Sequence, residues 1–217
     1  SQMPRLTGIL PYLAWQEDAR IFALDQGGFG EREEHAIGFC IETLPQTGAN
    51  DEMEKVLASL FVSCPPGTGI QVSLYGSPHI LPTLKNQANL LPASEFDDGE
   101  DGIQRRNSNI FRLLARRRID HYMKGTSESI FGHQTYLLRD FRSVISVTLP
   151  LDPELPADVD EALRIRESIH ATLKSAHLPG HDWGPDDLLN FVADFFDHSR
   201  LFSGSTVTPI GWNADQP

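Results

Sequence analysis

His177 and His181 stand four residues apart with Asp182 directly after them, a grouping that could ligate a metal or serve acid–base chemistry. On a helix this spacing would set both imidazoles on one face, as a zinc site requires, but Pro179 and Gly180 between them break a helix. A loop with ordinary polar histidines is the favoured reading, and no metal site is assigned. A stand-alone enzyme with a composite histidine and carboxylate site is the alternative. His35, His79, His121, His133, His170 and His198 form no ligand pattern. Neither Cys40 nor Cys64 sits in a nucleophile elbow, and no G-x-S-x-G occurs. Of the adjacent carboxylates, Asp97 and Asp98 fall in an acidic loop and Asp186 and Asp187 at a helix start.

Two glycine-rich stretches, Gly27-Gly28-Phe29-Gly30 and Pro65-Pro66-Gly67-Thr68-Gly69, invite a phosphate. A P-loop needs G-x-x-x-x-G-K-[ST] between a strand and a helix, so that backbone N–H groups, the lysine and the helix dipole meet the same phosphates. No Gly-Lys pair occurs. Pro-Pro-Gly-Thr-Gly joins a helix to a strand, the reverse order, and reads as a turn. No cofactor is assigned to these residues.

The remaining chemistry is cationic. Arg105, Arg106, Arg112, Arg116, Arg117, Arg118 and Lys124 lie within twenty residues, on a helix whose other side carries Phe111, Leu114, Ala115, Ile119, Tyr122 and Met123. Three roles compete: a nucleic-acid-binding module using the helix over 105–124, a protein-docking surface, and a plain solvated face. Glu95, Asp97, Asp98, Glu100 and Asp101 precede the helix and could neutralise it. The whole chain holds 18 Lys and Arg against 30 Asp and Glu, a net charge of −12, which disfavours nucleic acid and anionic lipid. The seven cations stand as a candidate partner-binding surface.

The elements that must position these groups are organised around Ile37 to Ser73. An apolar run from Ala36 to Leu44 breaks at Pro45 and Gly48, and Asn50 or Asp51 offers a helix N-cap. Met53, Val56, Leu57, Leu60, Phe61 and Cys64 then recur at helical spacing until Pro65-Pro66-Gly67. Ile70, Val72 and Leu74 alternate as a strand. Arg20 to Leu24 reads as a strand that returns through glycines into the Ile37 strand as a hairpin. Leu81 to Leu91 is a short helix or irregular, and Gly125 ends the arginine helix. Arg139 to Leu151 is a further strand. Asp158 to Ala176 is a helix striped by Val159, Ala162, Ile165, Ile169 and Leu173. A last helix from Pro185 buries Leu188, Leu189, Val192, Phe195 and Phe196.

This order predicts an α+β fold, a mixed, largely antiparallel sheet with helices mainly on one face. Residues 1–19 read as an extended N-terminal arm, 20–200 as a platform domain with a mobile acidic loop at 92–104, and 201–217 as a linker. An apolar content of 40% suffices for a core, and two cysteines predict no disulfide framework. No apolar run nears the roughly 20 residues that span a bilayer.

Leu10-Pro11-Tyr12, Phe22, Gly38-Phe39, Glu42, the run from Leu44 to Met53 and the segment from Pro65 to Gln71 together resemble the amino-terminal region of TraC-type conjugative transfer ATPases. The resemblance is ordered from Leu10 to Pro78 and looser from Arg112 to His198, and Glu31 to His35 departs from it as extra length in the first hairpin. It implies a hexameric ATPase of type IV secretion, cytoplasmic and peripheral at the inner membrane through its partners, that energises pilus assembly and DNA transfer. ATP and Mg would be used by a motor expected beyond Pro217. For the residues present it implies neither a catalytic residue nor a cofactor. It implies instead a docking and assembly domain facing membrane-embedded secretion components and neighbouring subunits, without membrane insertion of its own.

Overall fold

A computed structural model describes residues 12–25, 35–46, 48, 51–89, 102–130, 132, 135–196 and 211. In chain order the elements are β1 (Tyr12–Gln16), β2 (Ile21–Asp25), β3 (His35–Thr43), α1 (Asp51–Ala58), a 3-10 turn (Ser59–Phe61), β4 (Gly69–Ser77), α2 (Leu81–Asn89), α3 (Gly102–Lys124), β5 (Asp140–Leu149), α4 (Pro156–Ser175), β6 (Gly180–Asp182) and α5 (Pro185–Phe196). The described residues fall into two compact units, one drawn from 1–75 and 142–196, the other from 76–141.

The strands form one sheet in the order β1-β2-β3-β5-β4, with β6 also paired to β3. The pairings of β3 with β2, β5 and β6 are all antiparallel, so the fold is α+β with a largely antiparallel sheet. Alternation along β3 sends Ile37, Phe39 and Ile41 to one face, where Leu149, Val147 and Ile145 of β5 stand opposite them. Onto that face α4 lays Ala162, Ile165, Ile169 and Leu173, joined by Leu60 of the 3-10 turn. Burying each of the larger side chains contributes about 1.5–3 kcal/mol. This stripe makes α4 the main cover of the sheet.

Both ends of α4 follow from local chemistry. Leu155 is extended and Pro156 opens the helix, where a missing N–H costs nothing. At the other end His177 takes φ 59°. The Leu178 N–H bonds the Leu173 carbonyl and the His177 N–H bonds that of Lys174, the paired bonds of a Schellman stop with histidine in the position glycine usually fills.

Several elements depart from their sequence readings. Tyr12–Gln16, inside the expected arm 1–19, pairs with β2, and Tyr12 meets Phe22 edge-on while Trp15 packs against it at a tilt. Cross-strand aromatic contacts of this kind hold this extended segment as an edge strand of the sheet. The helix expected to reach Cys64 ends at Ala58 and tightens into the 3-10 turn, where the Ser59 hydroxyl bonds the Val56 carbonyl at 2.6 Å and competes with the helical ladder. No residue of α5 is fully buried. Leu189, Phe195 and Phe196 are exposed, while Phe191 packs against Trp183 and Tyr75 and Phe195 reaches Tyr75 at a ring distance of 6.5 Å.

In the second unit α3 begins at Gly102, so residues 102–104 of the expected acidic loop are helical, and 92–101 lie outside the described residues. Gly125 does follow the helix, but not in the left-handed conformation. A Cβ there would stand 2.7 Å from Leu138 Cδ1, so close packing explains the glycine. Of the segment expected as a linker, 201–217, only residue 211 is described.

Candidate functional site

Glu42 and its neighbours are the most connected polar group of the first unit. Lying between Ile41 and Thr43, Glu42 points to the sheet face opposite the α4 core. Arg142 of β5 donates Nε to Oε1 at 2.6 Å and Nη2 to Oε2 at 2.5 Å, a bidentate fork. The Trp183 indole N–H donates to Oε2 at 2.7 Å, and the Arg142 guanidinium lies 5.6 Å from the centre of the Trp183 ring. Burial pushes the Glu42 carboxyl up, but the bonds from Arg142 and Trp183 and the charges of Arg142 and His181 outweigh it, leaving its pKa below the ordinary value.

The grouping of His177, His181 and Asp182 does not converge. His181 pairs across β6 with Glu42, while Asp182 pairs with Ile41, so the two adjacent side chains leave opposite faces of the sheet. His181 is largely exposed, 3.9 Å from Glu42. Asp182 instead meets α4, bonding His170 Nε2 at 2.7 Å and lying 3.6 Å from Arg166 Nε. His177 occupies the helix stop, with its carbonyl accepting from Gln46 Nε2 at 2.7 Å. Among the described residues no group of three or more His, Cys, Asp or Glu is arranged to hold a metal ion. Both cysteines are free thiols.

The cationic helix divides. Arg116, Arg117, Arg118 and Lys124 are exposed on α3. Arg105, Arg106 and Arg112 belong to the same helix, and their side chains lie outside the description. Arg118 does not face away from the apolar side. With Ala115, Ile119 and Tyr122, one helical turn apart from one another, it lines a groove of about 370 Å³ closed by Ile80, Thr83 and Leu84 of the α2 region and by Leu138, Arg139 and Asp140. Arg139 is fixed there by bonds from Nη1 to the carbonyls of Thr126 and Leu138, both 2.8 Å. Leu114, grouped by spacing with the apolar side of the helix, is 51% exposed and Leu113 50%. Neither is among the residues that line the groove.

Sequence reasoning missed the Glu42 cluster. Its partners are 100 and 141 residues away, and only the charge of Glu42 in an apolar strand signalled that a partner must exist.

A family model described as TraC protein matches residues 6–217. The chain belongs to the TraC family of conjugative transfer proteins. No curated protein and no solved structure matches it. The family match spans all six strands and five helices of the described residues, so the Glu42 cluster and α3 alike lie within the matched TraC region. No helix among the described residues of this TraC chain is long and apolar enough to cross a membrane.

Proposed function

We propose that this chain is a noncatalytic amino-terminal docking and assembly domain of a conjugative type IV secretion ATPase, acting in pilus assembly and DNA transfer. The observation that carries the docking role is the outer surface of α3. Leu113 and Leu114 are half exposed there beside the exposed Arg116, Arg117 and Lys124. A solvated face gains nothing from two leucines, whereas apolar side chains rimmed by cations suit a protein interface. Glu42 is tied to Arg142 and Asp182 to His170 in pairs that hold the fold. In this reading α3 contacts membrane-embedded secretion components, the chain is cytoplasmic and peripheral at the inner membrane, and ATP and Mg belong to a motor elsewhere in the hexameric parent protein.

The test places a photo-crosslinking amino acid at position 117 of the full-length protein in conjugating cells, with position 160 of α4 as control. Cross-links from 117 to inner-membrane secretion components, absent from 160, support the proposal. Cross-links from 117 to DNA alone, or ATP turnover by the purified chain of residues 1–217, contradict it.

A further inference from the structure

Strand β4 ends the sheet. Among the described residues nothing pairs with its outer side, so its backbone N–H and C=O groups there form an open template for another strand. Gly67 lies against Pro150 and Gly69 against Thr148, which sets β4 antiparallel to β5 on its inner side. Proteins commonly blunt such an edge with lysine, proline or a bulge, yet residues 69–75 read Gly-Ile-Gln-Val-Ser-Leu-Tyr. Val72 and Leu74 are both 67% exposed.

The absence of charge extends well beyond the strand. Between Lys55 and Lys85 the 29 residues from Val56 to Leu84 contain no Asp, Glu, Lys or Arg, in a chain that is 22% charged. Phe61 and Val62 in the same stretch are also exposed, at 61% and 85%. With a net charge of −12, two copies of the chain repel one another over most of their surface. The neutral stretch is where that repulsion is weakest.

From these observations we infer that β4 pairs with β4 of a second copy, antiparallel across a two-fold axis, joining two sheets edge to edge. A two-fold pairing brings each strand against itself, so any charge would meet its own copy nearby. The uncharged strand removes that penalty. With the axis near Ser73, Val72 of one copy stands beside Leu74 of the other, covering two apolar side chains now open to water. This interface is isologous and joins copies in pairs. It differs from the head-to-tail contacts that close a ring and does not depend on the docking role of α3.

The test is sedimentation of the chain over a range of concentrations. The wild type is expected to climb from the monomer mass to twice that mass. V72K/L74K and V72E/L74E, altered at exposed positions, are each expected to stay monomeric with unchanged circular dichroism and melting temperature. An equimolar mixture of the two is expected to recover the dimer, because opposite charges then face each other. A wild type that remains monomeric throughout overturns the inference and leaves the edge to the strand of a different protein. Dimers formed equally by both variants, or a mixture that stays monomeric while the wild type pairs, overturn it as well.

Discussion

Arg142 holds Glu42 by two parallel charge-assisted bonds, 2.6 and 2.5 Å long, from the neighbouring strand of the sheet. The register explains why the two meet: Glu42 stands opposite Val144, so Arg142, two residues before it in β5, lies on the same face at a diagonal. Trp183, just past β6, completes the clasp, tying two segments distant in sequence to one carboxylate.

Replacing Glu42 by Gln leaves the shape and removes the charge that Arg142 and Trp183 were placed to meet. The pair is mostly buried, with side chains 25% and 14% exposed, so loss of one partner is expected to cost about 2 kcal/mol. Urea unfolding of E42Q measures this. A change within ~0.5 kcal/mol, as at an ordinary surface site, would refute it.

The same carboxylate gives stability a pH dependence. Its folded pKa lies below the ordinary value of 4.5, so its contribution is complete above that pH and is lost as pH falls through the folded pKa. The wild type is therefore expected to lose stability faster than E42Q as pH drops below about 4.5, and the two curves to approach one another. Parallel curves in urea titrations from pH 6 to 3 would speak against this role.

His177 holds a positive φ of 59° at the end of α4, a conformation that costs an L-residue roughly 1–2 kcal/mol. Its side chain is exposed, and its bond to Gln46 uses the backbone carbonyl. His177→Gly should therefore raise stability by about 1 kcal/mol, read as a higher melting temperature. An unchanged or lower value contradicts the strain.

Gly180 is the close-approach glycine of β6. A Cβ there would stand 2.5 Å from Ile41 Cγ2 and 2.9 Å from the Glu42 carbonyl oxygen, so Gly180→Ala must push β6 from β3 at a cost of about 2 kcal/mol. Gly184→Ala is the control, since its Cβ meets nothing nearer than 3.9 Å. Equal unfolding midpoints for the two variants would show that β6 is not packed this tightly.

Sequence periodicity was sufficient wherever an element packs along a continuous stripe. The β3 run, the start of α1 and the α4 stripe of Ala162, Ile165, Ile169 and Leu173 all emerge from spacing alone, because burial repeats with the geometry of the element. It failed where partners are remote or brief. Three residues of β6 carry no period, and β1 is held by pairing with β2 and by Tyr12 and Trp15 packed against Phe22. Leu74 belongs to the apolar alternation of β4 and Leu114 to the apolar side of α3, yet both are exposed, since apolar spacing shows which side of an element is apolar, not whether anything covers it. The cations of α3 were legible as a cluster. That Arg118 lines a groove while Arg116, Arg117 and Lys124 do not required the neighbours of the helix.

Charge reversal on α3 tests the docking role most directly. R116E/R117E/K124E in the full-length protein changes exposed side chains, so the fold should keep its stability within about 0.5 kcal/mol. Co-purification with inner-membrane secretion components and DNA transfer between cells should both fall at least about tenfold, because like charges then face the partner. Wild-type co-purification and transfer by this variant would contradict a docking role for α3.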